Sequence, residues 1–325
     1  MKSVVVTGAT SFVGCYLAKK FAQKGWDVSA TLSRPASAYD GIQVERLKWI
    51  GESVAWQELD LRDEKATRDF IARVHPKLWI HHAGFAVNYG CLDYDLRAGH
   101  EVNVAPLTHI YDELAKARCG GVIVTGSSME YADTDRACKE SDECKPSTPY
   151  GRSKLEETQA AARLSERHGV PTRVARLFIP FGPLDAPGKV LPYVIENLKK
   201  GLPVELSPCT QRRDFLAVGD VAKAYGLLAG DLKRGGFEVF NICSGEAITV
   251  RHVIETIADH LGASRDLLRF GKREMRKGEP LVSYGSKEKA RKMLGWHSGT
   301  LEEGIAEFLR IEDEYTAGAK GVRRT

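Results

Sequence analysis

Tyr150 and Lys154 stand four positions apart in Thr148-Pro149-Tyr150-Gly151-Arg152-Ser153-Lys154, a run that reads as the start of a helix. Four-residue spacing puts both side chains on one helix face. A free phenol, with a pKa of about 10, moves protons poorly at neutral pH; a neighbouring ammonium and a helix N-terminus both stabilise its anion. The pair can therefore act as acid toward a carbonyl being reduced and as base toward an alcohol being oxidised. Spacing alone is a weak signal, because Tyr16 and Lys20 share it on the first helix, where they would pack or face solvent. What distinguishes Tyr150 and Lys154 is their setting, downstream of a strand whose carboxyl end reads Gly126-Ser127-Ser128. There Ser128, with Ser127 beside it, would donate to the reacting oxygen as charge develops. The alternative is an exposed helix pair near an unrelated Ser-Ser.

Such chemistry needs a hydride carrier, and the N-terminus offers a place for one. Val4-Val5-Val6-Thr7-Gly8-Ala9-Thr10-Ser11-Phe12-Val13-Gly14 runs from strand into helix. Gly8 can take a φ that other residues resist, Gly14 lets the helix approach the sheet, and the turn and helix start (Thr10, Ser11, Phe12, Val13) would meet a pyrophosphate. A plain strand-to-helix connection is the competing reading. The second strand ends Thr31-Leu32-Ser33-Arg34, with no carboxylate where a ribose 2′-hydroxyl needs an acceptor. Ser33 and Arg34 suit a 2′-phosphate, so NADP is expected with NAD as the other possibility; a solvated surface arginine is the bland alternative.

These residues need a parallel sheet to position them. Strands are predicted at Ser3–Thr7, Asp27–Thr31, Val54–Glu58, Leu78–His81, Gly121–Thr125 and Thr172–Arg176, alternating with helices. The predicted fold class is α/β, a Rossmann doubly wound parallel sheet with a smaller, mixed α/β C-terminal substrate lobe. Prolines and glycines thicken after Pro183, whereas a helix at Val218–Leu228 and a run at Phe237–Ile242 look like a return to the sheet. The predicted division is 1–177 plus about 217–243 for the cofactor domain, about 178–216 plus 244–315 for the substrate lobe, and 316–325 as a tail.

Length supports two lobes: 325 residues exceed one typical core. A net charge of +4 with scattered basic residues gives no nucleic-acid stripe. The seven cysteines show no Cys-x-x-Cys pair and no zinc-ligand spacing, so reduced thiols and no metal are expected. Neither a secretory signal nor a membrane-length apolar run is present, and the expected location is cytoplasmic. The stripe Leu155, Thr158, Ala162 and Leu164 could pair two copies into a homodimer, or pack on its own sheet.

Taken together, these motifs resemble the extended short-chain dehydrogenase/reductases of the NAD-dependent epimerase/dehydratase family, over nearly the whole chain. Thr7 to Gly14 is similar to the family's T-G-x-x-G-x-x-G, with Ser11 where the middle glycine is usual. Leu59-Asp60-Leu61-Arg62-Asp63 resembles D-[LIV]-x-D, which implies that Asp60 binds the adenine amino group with Leu61 beside it. Ile80-His81-His82-Ala83-Gly84 resembles the strand end whose backbone (His82, Ala83, Gly84) lines the cofactor, and Asn103 matches the family's helix asparagine. By the same resemblance Lys154 hydrogen-bonds the nicotinamide ribose.

The block Arg213-Asp214-Phe215 through Asp220-Val221-Ala222 resembles that of enzymes acting on nucleotide sugars, which implies that Arg213 faces the substrate pyrophosphate, with Arg276 in a similar role. Pairing of Arg213 with an acid to hold the lobes together is the alternative. Arg176-Leu177-Phe178-Ile179-Pro180-Phe181-Gly182-Pro183 resembles R-x-x-N-x-Y-G-P, placing Phe178 and Ile179 at the substrate, with Ile179 replacing an asparagine. Gly126-Ser127-Ser128-Met129-Glu130-Tyr131 resembles the G-S-S-x-E-Y-G of 4-keto-6-deoxysugar reductases. Met129 cannot protonate a leaving hydroxyl, as a dehydratase requires, while Glu130 could be a base, a cap or solvated. The resemblance thus implies NADPH-dependent reduction of a nucleotide-linked 4-keto-deoxyhexose at C4. A nucleotide-sugar 4-epimerase is the main competitor; a dehydratase, a reductase of non-nucleotide ketones and a non-catalytic NADP sensor follow.

Overall fold

The computed structural model describes residues 2–275 and 279–321. Arg276, assigned above to the substrate, lies outside them. Through the first part of the chain, strands β1 (Ser3–Val6), β2 (Asp27–Leu32), β3 (Ala55–Glu58), β4 (Leu78–His81), β5 (Val122–Ser127) and β6 (Thr172–Leu177) alternate with helices. The helices are α1 (Phe12–Gln23), α2 (Gly41–Ile50), α3 (Glu64–Val74), α4 (Leu96–Gly99), α5 (Leu107–Lys116) and α6 (Pro149–His168). Beyond them come short strands β7 (Ile179–Phe181), β8 (Val204–Leu206), β9 (Arg212–Arg213) and β10 (Phe215–Ala217), then β11 (Phe237–Ile242). β12 (Ile248–Thr249), β13 (Leu268–Phe270) and β14 (Val282–Ser283) follow, with helices α7 (Val190–Lys199), α8 (Val218–Asp231), α9 (Val250–His260), α10 (Glu288–Leu294) and α11 (Leu301–Gly321) among them.

Seven strands form one parallel sheet in the order β11-β6-β5-β4-β1-β2-β3. Chain order reverses between β1 and β4, and the crevice beyond the strand ends at such a reversal is where open α/β sheets bind ligands. The buried strands are those with continuous apolar runs: all four residues of β4 and all six of β6 are buried, because helices cover both faces. The predicted strands stand, with one instructive difference. β5 runs two residues further, into Gly126 and Ser127, because those residues pair with Arg176 and Leu177 of β6. Local propensity argues against Gly-Ser in a strand, and the tertiary ladder overrides it.

The run at Phe237–Ile242 does return to the sheet, pairing along β6 at its edge. The smaller sheets β10-β7, β12-β9-β14 and β13-β8 share a separate buried cluster with α7, α9 and α11, built from residues such as Val194, Ile195, Val253, Ile254, Ile305 and Phe308. α11 carries the backbone as a helix to Gly321, into the stretch expected as tail.

Asp214 joins the two regions. Fully buried, its carboxylate accepts from the backbone and hydroxyl of Ser244 (2.6 and 2.7 Å), from Gly245 (3.0 Å) and from Gly285 (3.2 Å). An amide at this position turns one acceptor into a donor facing a donor. Asp214→Asn is therefore expected to lower stability by about 2–3 kcal/mol, read as a reduced urea midpoint at unchanged slope.

Candidate active site

The phosphate-binding turn is built from contacts that exclude side chains. Gly8 has φ +69°, and a Cβ there would lie 2.8 Å from the Ala83 Cα; a Cβ on Gly14 would lie 2.2 Å from the Gly8 carbonyl oxygen. The turn is thus a cradle of bare backbone beneath the N-terminus of α1, as a pyrophosphate requires. Ser11 caps that helix, its Oγ accepting from the Gly14 N–H at 3.0 Å. Its presence in place of the usual glycine is answered from the loop after β4: His82 Nε2 lies 2.8 Å from Ser11 Oγ and Nδ1 2.8 Å from Thr125 Oγ1, which in turn reaches the Tyr225 hydroxyl at 2.6 Å. Burial, with a smaller push from Lys154, drives the His82 pKa down to about 3, so the ring stays neutral. From below, the buried Arg46 of α2 donates to the Thr10 carbonyl at 2.9 Å.

A cleft of about 530 Å³ opens from this turn. Gly8, Thr10, Ser11, His82, Ala83, Gly84 and Asn103 line its middle, Ser33, Arg34, Asp60 and Leu61 one end, and Tyr150 and Lys154 the other. Phe12, Val13 and Gly14 do not line it; they lie at the helix start behind the turn, with Val13 buried in the core. The backbone N–H groups of His82 and Ala83 both donate to Thr7 Oγ1 at 2.9 Å, which fixes the loop after β4.

Asn103 sits in a π-helical turn, His100–Val104, of the kind often found at functional sites. Fully buried, it accepts from the Phe85 N–H at 2.7 Å and donates to Ser153 Oγ at 3.0 Å, tying the loop after β4 to α6 beside Lys154.

α6 starts where the sequence says it should, with Thr148 as N-cap accepting from Gly151 and Pro149 in the first turn. Tyr150 is held between rings, its centroid 5.5 Å from Tyr89 and 5.5 Å from Tyr94. Lys189, from beyond β7, hydrogen-bonds the Tyr89 hydroxyl and lies 4.6 Å from its ring centroid. Burial pushes the Tyr150 phenol up to about 12, with Lys154 pulling the other way and Glu157 reinforcing the rise. The phenol therefore holds its proton at neutral pH. Behind it, Lys154 is bound by the buried carboxylate of Glu157.

Ser128 does not line this cleft; it lines a smaller cavity with Thr148, Pro280, Val282 and Ser283. Its neighbour Met129 lies against the first turn of α6, where a Cβ on Gly151 would come within 2.1 Å of the Met129 carbonyl oxygen. That close approach seats the turn carrying Ser128 against the first turn of α6. Ser127 is turned to a structural task, its Oγ accepting from Met129 N–H at 3.2 Å.

The structure gives several of these residues partners within the chain. Glu130 is fully buried, with one oxygen taken by the Ser127 N–H (2.8 Å) and the other by Arg176 Nε (2.9 Å). It completes a capping box and an ion pair and offers no oxygen to a substrate. Phe178 is buried among Tyr131, Cys138 and Cys243 instead of walling a site, whereas Ile179 is exposed. Arg213 pairs with Glu279 at 2.8 Å, inside the region predicted as the substrate lobe and not across the two lobes. Asp60 already accepts from Arg62 at 2.6 Å while lining the cleft. Arg34 stacks on Tyr39 (4.4 Å to the centroid) and donates to Gln43 at 3.2 Å. Of the other tyrosine-lysine pair, Tyr16 is buried and donates to the Pro183 carbonyl at 3.1 Å. Thr158 and Leu164 of the proposed dimer stripe are buried in their own chain. Sequence reading passed over Glu157, Tyr89, Tyr94 and Lys189; only Glu157, three residues beyond Lys154, carried a local signal.

Residues 4–243 match the NAD dependent epimerase/dehydratase family. The chain belongs to that family. Its fold and its Tyr-Lys helix thereby identify an NAD(P)-dependent enzyme of the short-chain dehydrogenase/reductase type. Similar family members include CDP-abequose synthase of Salmonella muenchen, 24% identical across 96% of this chain and 98% of that protein. Also similar is UDP-glucose 4-epimerase 2 of Arabidopsis thaliana, 24% identical across 95% and 93%. Among solved structures, MoeE5 in complex with UDP-glucuronic acid and NAD superposes with a TM-score of 0.80 at 25% identity, over 98% of this chain and 99% of that one. No helix among the described residues is long and apolar enough to cross a membrane.

Proposed function

We infer that the protein reduces a nucleotide-linked 4-keto-deoxyhexose at C4 with NADPH. The observation that carries this reading is the Tyr150 phenol at one end of the cleft with Lys154 beside it, while both oxygens of Glu130, the carboxylate after β5, are engaged. A phenol holding its proton is an acid ready for a carbonyl oxygen, and Glu130 is not free to serve an elimination. When bound, the nicotinamide cofactor supplies the hydride. Tyr150 gives its hydroxyl proton to the C4 oxygen, Lys154 stabilises the phenolate left behind, and Ser128 donates to the same oxygen as its charge grows. The relatives CDP-abequose synthase and MoeE5, the latter with UDP-glucuronic acid, support a nucleotide sugar as substrate. Arg213, released from Glu279, would hold the diphosphate, so Arg213→Ala weakens substrate binding in this reading. A pool of such substrates puts the enzyme in the cytoplasm, and pairing of two copies through the exposed face of α6 is tested by sedimentation at several concentrations.

NADPH is preferred in this reading because Ser33, Arg34 and Arg62 line the far end of the cleft, giving a 2′-phosphate two guanidinium groups. Arg34→Ala is expected to reduce the NADPH-over-NADH preference by roughly tenfold, the worth of one charge-assisted bond of about 1.5 kcal/mol. Michaelis constants for both cofactors read it, and a clear preference for NADH in the unaltered protein would reverse the assignment. A 4-epimerase is the second reading, favoured by the UDP-glucose 4-epimerases among the relatives and by neighbours carrying NAD. Added NADPH consumed with a keto-sugar nucleotide marks the reductase. Copurified NAD(H) and no net redox change mark the epimerase.

A further inference from the structure

The Lys154 ammonium is bound from behind by a carboxylate that the proposed reaction does not use. Glu157, one turn along α6, is 1% exposed, and its Oε2 accepts from Lys154 Nζ. Its other oxygen, Oε1, has no hydrogen-bond partner, and neither does His81 Nε2, 3.7 Å away on β4. His81 is fully buried, and its Nδ1 receives the Trp79 indole N–H at 3.5 Å, which leaves the hydrogen on Nε2, pointing at Glu157. Burial, with Lys154 as the next cause, pushes the His81 pKa down to about 3, so that ring is neutral and answers the carboxylate with a dipole alone. The remaining groups that sense Glu157 are Glu130 on the turn after β5, Tyr111 of α5, Tyr225 of α8, Tyr94 of the loop before α4 and Tyr150 itself. Among the described residues, Lys154 is the one cation bonded to it.

A buried ion pair stabilises a fold little, since desolvating both charges offsets their attraction. Placed against the lysine that serves Tyr150, however, the pair changes what the phenol feels. An ammonium alone favours the phenolate; an ammonium already balanced by a carboxylate favours it far less. Burial works against the Lys154 charge, and Glu157, Tyr150 and Glu130 more than offset it, keeping the ammonium charged, whereas burial lifts the Glu157 carboxyl to about 7 against the pull of Lys154, so that its charge is complete only above neutral pH.

We propose that Glu157 is a positioning residue of this site: backed by His81, it holds the Lys154 ammonium and offsets its charge, so that Lys154 stabilises the Tyr150 phenolate less than a free ammonium would. The proposal rests on the reading of Tyr150 as the proton donor.

Tyr150 ionisation can be read without substrate or cofactor, as the ultraviolet absorbance of tyrosinate after a rapid pH jump, with the Tyr150→Phe protein subtracted. The jump records the ionisation before alkaline unfolding. Glu157→Gln is expected to lower the Tyr150 midpoint by about one pH unit, and Glu157→Asp, which retains the charge, to leave it in place. Glu157→Met, which replaces a buried ion by an apolar chain of similar volume, gives the same downward shift and covers a failure of the glutamine variant to fold. A lowered melting temperature with an unmoved midpoint in either neutral variant would overturn the proposal and leave Glu157 a structural ion-pair partner. Turnover retained in Tyr150→Phe would instead overturn the reading of Tyr150, and this inference with it.

Discussion

Tyr150→Phe is expected to reduce turnover by about a hundredfold to ten-thousandfold, with cofactor affinity unchanged to within roughly a factor of two. The substitution removes one oxygen and leaves the ring, so the edge contacts with Tyr89 and Tyr94 at 5.5 Å persist and the first turn of α6 keeps its Thr148 cap. Ser128 can still polarise the reacting oxygen, but the proton must then come from water through a site that no longer presents one. The effect should fall on kcat with little change in KM, since the proton is needed in the transition state and not for binding. Burial holds the phenol at about 12 in the free protein, so no loss of reductive rate through deprotonation of Tyr150 is expected until the pH approaches that value. The checks are steady-state kinetics with a keto-sugar nucleotide and a fluorescence titration of the cofactor. Turnover within tenfold of the unaltered enzyme would remove Tyr150 from the mechanism.

The second large effect is expected at Gly14. An alanine there brings its methyl group to 2.2 Å from the Gly8 carbonyl oxygen and 2.6 Å from Ser11 Oγ. Neither atom can yield cheaply. The carbonyl belongs to the turn itself, and Ser11 Oγ is held by His82 and caps the helix through the Gly14 N–H. Relief therefore requires α1 to move away from β1, opening the cradle and loosening the helix against the core formed by Val13, Leu17 and Phe21. Gly14→Ala is expected to weaken NAD(P) binding by at least about tenfold and to lower stability by about 1–3 kcal/mol. Isothermal titration with both cofactors and thermal melting without ligand separate the two consequences. Gly188, whose added Cβ would meet nothing and whose φ lies outside the left-handed region, serves as the control for simple loss of glycine.

The local features of this chain were legible because they are encoded within a few residues. The apolar run of β4 needs burial on both faces wherever it is placed, and the Thr148-Pro149 start of α6 determines a helix before any neighbour is known. Gly8 and Gly14 announce a turn that side chains would block. The four-residue spacing of Tyr150 and Lys154 placed them on one face, but identical spacing in Tyr16 and Lys20 led to a buried hydrogen bond with Pro183. Spacing defines a face; only the sheet order, reversing between β1 and β4, decides which face meets a cleft.

What lay beyond the sequence were pairings between charges far apart in the chain. Glu130 and Arg176 are 46 residues apart, and Arg213 and Glu279 are 66 apart. A carboxylate read alone is equally a base, a cap or a solvated group, and a guanidinium is equally a phosphate ligand or an ion-pair partner. Burial decides among these, because a charge removed from water must find its counter-charge nearby. The sequence alone therefore determined the strands, the glycine turn and the tyrosine-lysine helix, all products of short-range sterics and periodicity. Which charged groups remain free to meet a ligand, and that a glutamate stands behind the lysine, was decided only when the folded chain fixed the distances over which electrostatic interactions act.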